Sequence, residues 1–167
     1  MAFVQSVGVD VEEFVAANFD AVRRALTVAL NDPLRAEDLA QEAFAKAWRR
    51  WPQVSMMERP VAWVYVVAMN GMRREFRRAV RREAAVPDNA APSQPDHAHT
   101  VVTSVTLHTA LAELAPRQRT AVVLRYLADL TVPEVAKAMG CAEGTVKSTL
   151  HSALAHLQVE LTEKGEP

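Results

Sequence analysis

The sequence predicts an all-α fold: two small helical domains joined by a flexible linker. Three observations carry this. Alanine supplies roughly one residue in six while aromatic residues are only 6%, a mix that favours helices over sheets. Asp32-Pro33 and Thr131-Val132-Pro133-Glu134 stand ahead of helix-periodic runs, where capping residues and a first-turn proline belong. The segment VPDNAAPSQPDHAHT, residues 86–100, breaks the pattern with three prolines and small polar residues; it buries too little to offset the entropy of ordering it. Residues 1–85, 86–105 and 106–167 are therefore read as domain, linker and domain. A long unstructured loop inside one domain is the less common arrangement.

A chain of 167 residues has room for one ordinary domain or two small ones. Its single cysteine excludes a disulfide scaffold and an all-cysteine metal site, and suits a reducing compartment. No apolar stretch is long enough to span a bilayer, so no membrane insertion is expected. The opening MAFVQSVGVDVEEF has no basic region followed by an apolar core, and a cytoplasmic location follows as the expectation.

In the first domain, Val11–Leu30 repeats apolar residues at Phe14, Val15, Phe19, Val22, Leu26 and Leu30, a helical spacing. A second helix should start at Asp32-Pro33 and run to about Trp51. Its apolar side collects Leu39, Ala40, Ala43, Phe44, Ala47, Trp48 and Trp51, all assigned to the core. The opposite side collects Asp38, Gln41, Glu42, Ala45 and Arg49. A loop over 52–60 leads into a third long helix from about Val61 to Arg82.

The second domain opens with a short apolar helix, Leu107–Leu114, stopped by Pro116; Arg117–Leu127 forms the next. The capping box at Thr131 begins a third helix that ends at Gly140, and a last helix runs from about Glu143 to Leu161. The last two read as a helix-turn-helix. Ala136 is small where the helices cross, Gly140 suits a left-handed turn, and Val135, Met139, Val146 and Leu150 are the apolar pegs. In a major groove the second helix would present Glu143, Thr145, Lys147, Ser148, Thr149, His151 and Ser152. An αα-hairpin that binds nothing is the competing reading.

The net charge of −1 hides a concentrated cationic site. Residues 73–82, RREFRRAVRR, hold six arginines against Glu75. Arg73, Arg77 and Arg81 form one stripe and Arg74, Arg78 and Arg82 the next, about half the helix circumference. Met72, Phe76, Ala79 and Val80 are expected to pack inward. Stacked like charges weaken a helix by a few tenths of a kcal/mol per i,i+4 pair. Phosphate contacts explain them better than a solvated basic face when a helix-turn-helix lies in the same chain.

RAEDLAQEAFAKAW (35–48), RPVAWVYVVAMN (59–70) and LAELAPRQRTAVVLRYLADLTVPEVAKAMGCAEGTVKS (111–148) together resemble the extracytoplasmic-function (group IV) sigma factors of bacterial RNA polymerase, within the sigma-70 family. The likeness runs from about residue 11 to 158. It implies a region 2-like helical bundle for docking and −10 element opening, and a region 4-like helix-turn-helix for the −35 element. It implies that Asp38, Gln41 and Glu42 dock on the beta-prime clamp helices of the polymerase core, that the second domain meets the beta flap, and that promoter DNA is the other partner. An anti-sigma factor is implied in the same way. Carboxylates on a packed helix suit an arginine-rich partner; they also suit a helix N-terminus, although Gln41 and Glu42 lie beyond the first turn.

By the same likeness the 52–60 loop borders a pocket for an unstacked base, Asn70 faces the melted strand, and Arg73, Arg74, Arg77 and Arg78 grip its phosphates. Trp63 matches a common aromatic position of the family and equally fits a core residue. The family commonly places arginines where this chain has Thr149 and Ser152. The recognition helix therefore keeps Lys147 as its fixed cation, His151 being near neutral at pH 7. Either the arginine helix carries more of the affinity or the promoter is unusual.

No nucleophile–base set, phosphate loop or paired carboxylates occur in the sequence, so no enzyme activity, cofactor or small-molecule substrate is expected. His97 and His99 stand far from Cys141 in sequence, and no metal site is expected. The reading is an alternative sigma factor directing promoter-specific initiation. A polymerase-independent helix-turn-helix regulator and a helical interaction module with a weakened DNA reader are the alternatives.

Overall fold

The computed structural model describes residues 10–84 and 105–163. These hold helices α1 (Val11–Leu30), α2 (Pro33–Arg49), α3 (Trp51–Val54), α4 (Pro60–Ala84), α5 (Val105–Glu113), α6 (Pro116–Val122), α7 (Val132–Met139) and α8 (Glu143–Glu163), with a π-helical turn at Val123–Leu127 after α6. No strand occurs among the described residues. The expected linker lies outside them except for Val105, which opens α5.

Local chemistry sets the boundaries. Asn31 takes a left-handed conformation, φ 54°, and ends α1. The Asp32 carboxylate then accepts from the Arg35 backbone N–H at 3.0 Å, with Pro33 in the first turn of α2; such a cap stabilises a helix by about 1 kcal/mol. The 52–60 segment is less of a loop than expected, since Trp51–Val54 forms a helical turn and α4 begins at Pro60. The second expected helix of the C-terminal half runs unbroken over residues 116–127, its last turn widening from α to π at Val123. Ala128 N–H reaches back to the Val123 carbonyl, one residue further than in an α-helix, and Asp129 adopts φ 53°.

Helices α1, α2 and α4 form one bundle around Leu26, Leu39, Phe44, Val64, Tyr65 and Met69. Phe14 sits 4.9 Å from the Trp51 ring and 5.9 Å from that of Phe44. Gly71 lets α4 approach α2 closely, because a Cβ there would lie 3.0 Å from Leu39 Cδ2. Helices α5–α8 enclose Leu114, Leu124, Leu130, Val135, Val146 and Leu150.

The two halves pack on each other, α1 against α6 and α4 against α7, in one continuous apolar cluster. The contact also has a polar component. The buried Arg119 side chain crosses from α6 to donate to the Ala29 carbonyl at 3.1 Å, and to the Ala112 carbonyl at 3.0 Å. Burial pushes its pKa down from the ordinary arginine value. Arg59 pairs with Glu134 and donates to the Asp129 carbonyl at 2.6 Å.

Two expectations about packing are corrected. Trp48, assigned to the core, is 49% exposed. Phe76, Ala79 and Val80, assigned inward, are exposed, and only Met72 is half-buried. From Arg74 to Arg82 every side chain of α4 is exposed, and its ties to the bundle there are polar, Glu75 pairing with Arg35 of α2 at 3.0 Å. Its periodic apolar residues meet no partner there.

Candidate nucleic-acid interface

Along one side, α4 turns Trp63, Val67, Asn70, Arg73, Arg74 and Arg77 toward the last turn of α2. Together with Lys46, Arg49 and Arg50 they line an open cavity of about 510 Å³. The structure thus brings together five of the six residues read as −10 contacts. Arg78 is exposed but does not line the cavity. Trp63 is half-buried, backed by the core and open on its other side. The Asn70 side-chain oxygen accepts from the Arg73 guanidinium.

The electrostatics are one-sided. Burial, and then the nearby Arg77 charge, push the Arg73 pKa down from its ordinary value. Arg73 Nε is buried without a hydrogen-bond partner among the described residues. Its guanidinium also covers the turn of the helix-turn-helix, where a Cβ on Gly140 would clash with Arg73 Nη1. Glu42 is the acidic neighbour. It accepts from Lys46 Nζ and stands 3.8 Å from Arg74. The Lys46 hydrogen bond, reinforced by the charges of Lys46, Arg74 and Arg49, holds its carboxyl below the ordinary glutamate value against the opposing effect of burial.

The other side of α2 carries Asp38 and Gln41, both exposed, and Gln41 Nε2 donates to Glu37 Oε1 at 3.0 Å. Glu42, also exposed, sits between this side and the cavity. Gln41 borders an apolar groove of about 460 Å³, lined with Val15, Phe19, Phe44, Ala45, Trp48 and Arg49. A half-exposed tryptophan beside polar and charged residues is the composition of an interface anchor. Sequence reasoning missed it because Trp48 shares a helical stripe with buried Phe44 and Ala47.

In the C-terminal half, Thr131 Oγ1 accepts from the Glu134 N–H while the Glu134 carboxylate accepts from the Thr131 N–H, completing the capping box. Gly140 adopts φ 65°. Val135, Ala136, Val146 and Leu150 are buried and Met139 is half-buried. Thr145, Lys147, Ser148, His151 and Ser152 are exposed along α8, whereas Thr149 is half-buried. The Ser148 hydroxyl donates to the Thr145 carbonyl at 3.0 Å. Among the described residues no group of histidine, cysteine and carboxylate side chains could hold a metal ion, and no helix is long and apolar enough to cross a membrane. His97 and His99 lie outside the described residues.

The family model for sigma-70 region 2 matches residues 14–82, and that for sigma-70 region 4 matches residues 104–157. The RNA polymerase sigma-E factor of Streptomyces coelicolor is 38% identical over 90% of this chain and 85% of its own length. The ECF RNA polymerase sigma factor SigL of Mycobacterium tuberculosis is 32% identical over 80% of this chain and 78% of its own. Among solved structures, the sigma factor RpoE of Bartonella quintana in complex with the anti-sigma factor NepR aligns with TM-score 0.66 and 25% identity, covering 90% of this chain and 96% of that one. CnrH in complex with the cytosolic domain of CnrY shares the fold at TM-score 0.57 and 23% identity, over 92% and 88% of the two chains. An alternative sigma factor directs RNA polymerase to initiate at chosen promoters, and this chain belongs to that ECF group of the sigma-70 family.

Proposed function

We propose that the chain divides this work among three surfaces, with docking on the outer side of α2, strand opening in the cavity between α2 and α4, and −35 reading on α8. The observation that supports this division most is the cavity itself. It collects an aromatic face, an amide and a set of cations within reach of one unstacked nucleotide and its phosphates. Trp63 offers a stacking surface, Asn70 a hydrogen-bonding edge, and Arg73, Arg74 and Arg77 the charge, with Arg78 further along the same helix.

Docking rests on Asp38, Gln41 and Glu42 as a polar rim and on Trp48 as the apolar centre, facing the beta-prime clamp helices of the polymerase core. Thr145, Lys147, Ser148, Thr149, His151 and Ser152 are the groove-facing set of α8, and the second domain meets the beta flap. Lys147 is the principal cation of that set.

The halves, 1–85 and 106–167, act as separate domains on DNA. A packed chain of this length has a radius of gyration of about 15 Å. The two promoter elements lie about 25 base pairs apart at ~3.4 Å each, so the contacts of α1 with α6 and α4 with α7 must open before both can be engaged. An anti-sigma partner would act by holding them closed; the Bartonella relative's complex supports such a partner. The protein then has a cytoplasmic place of action and no catalytic step of its own.

The test is transcription with purified core polymerase on genomic fragments, with start sites mapped. Discrete starts that need this chain support the reading. In parallel, Asp38→Ala with Gln41→Ala, and separately Trp48→Ala, should weaken co-purification with core by ten-fold or more while leaving circular dichroism unchanged. Undiminished co-purification removes those residues from the docking surface.

A further inference from the structure

The last turn of α2 carries three cations that the reading above leaves without a role: Lys46, Arg49 and Arg50. They line the same cavity as Trp63, Asn70, Arg73, Arg74 and Arg77. Lys46 is engaged by Glu42. Arg49 and Arg50 are exposed and form no ion pair with any described residue. A helix C-terminus attracts positive charge and would account for one such residue.

It does not account for a second group of cations across the gap. Arg73, Arg74 and Arg77 come from a different helix and converge on the same space, with Glu42 as the one carboxylate paired there among the described residues. Like charges brought together from two helices repel each other and weaken the fold. The arrangement is favourable once a polyanion enters between them, releasing counterions as it binds.

Resting on the strand-opening role of this cavity, we infer that Arg49 and Arg50 form its second wall and contact the phosphates of the separated strand, so that α2 docks polymerase on one side and holds DNA on the other. The strand runs between the end of α2 and the face of α4, with its bases toward Trp63 and Asn70. Arg50 and Arg49 take phosphates on one flank, Arg74 and Arg77 on the other. A single-stranded backbone suits a cleft with cations on both walls, because its phosphates are not held on one ridge as in a duplex.

The test uses the full chain loaded on core polymerase. The probe is a short fluorescent single strand carrying the non-template sequence of a promoter mapped with the unaltered holoenzyme. Binding is measured across a salt series for the unaltered chain, for Arg49→Ala with Arg50→Ala, and for Arg77→Ala with Arg78→Ala. Two lost phosphate contacts lower the salt slope by about 1.4 and weaken binding roughly 25-fold near 0.1 M salt. Arg49→Lys with Arg50→Lys restores most of the slope, since the charges remain.

An unchanged slope for the Arg49/Arg50 variant, with a reduced slope for the Arg77/Arg78 variant, overturns this inference and leaves the strand-opening reading standing. Unchanged slopes for both overturn the two together. Loss of core affinity with the slope kept would assign Arg49, which also borders the Trp48 groove, to docking and would overturn the inference as well.

Discussion

The guanidinium of Arg119 donates from Nε to the carbonyl oxygen of Ala29 at 3.1 Å, across ninety positions of sequence. The carbonyl belongs to the last turn of α1, where backbone oxygens lack helical partners. One buried side chain therefore satisfies a helix end and ties the two halves together.

Arg119→Ala leaves that carbonyl and the Ala112 carbonyl without their donor. Hydrogen bonds involving a charged group contribute about 1.5–3 kcal/mol each, so the variant, which loses two, should lose about 3–6 kcal/mol in urea unfolding. Small-angle scattering should show a larger radius of gyration, because the contact lies between the halves. Unchanged stability and radius would mean that apolar packing alone holds them.

Gly140→Ala places a Cβ at φ 65° and against the present position of Arg73 Nη1. The backbone cost is about 1–2 kcal/mol. The Arg73 tip can swing away, so the contact itself adds less. The substitution should destabilise the chain by roughly that backbone amount in both the native and the Arg73→Ala backgrounds. A substitution without cost would contradict the left-handed turn.

Burial pushes the Tyr65 phenol up to about 12 from 10.0. The folded state then holds its proton where the unfolded chain has released it. Stability from this group is full below pH 10 and is lost as pH rises from 10 through about 12. Two pKa units correspond to at most about 2.7 kcal/mol. Tyr65→Phe should flatten that part of the alkaline limb of a stability–pH curve, and an identical limb in both proteins would contradict the shift.

The helix starts were legible in the sequence because their causes are local. Asp32 with Pro33, and Thr131 with Glu134, act within one turn, and both caps form. Gly140 was legible for the same reason. Periodicity shows which residues share a face but not whether anything covers it. Phe76 and Val80 repeat correctly and stay bare because α4 outruns the bundle, and Trp48 repeats correctly above a groove. The approach of the α2 end to α4 depends on how Gly71 and Leu39 pack, which no local pattern contains. Arg119 gave no signal at all, standing in an ordinary polar string, PRQRT, whose burial is a purely tertiary result. Arg73, Arg74 and Arg77 were legible as a charge stripe, Trp63 and Asn70 only through family likeness, and all five line one cavity; that Lys46, Arg49 and Arg50 line it too had to wait for the geometry.

Promoter opening measures most directly whether the cavity between α2 and α4 holds an unstacked base. A promoter duplex with 2-aminopurine in its −10 element brightens when that base leaves the stack. Holoenzyme containing the unaltered chain should give this rise, and holoenzyme containing Asn70→Ala with Arg77→Ala should bind core normally yet open at least ten-fold more slowly. Opening by that variant at the unaltered rate, or no rise with the unaltered holoenzyme on a promoter it transcribes, would contradict the claim.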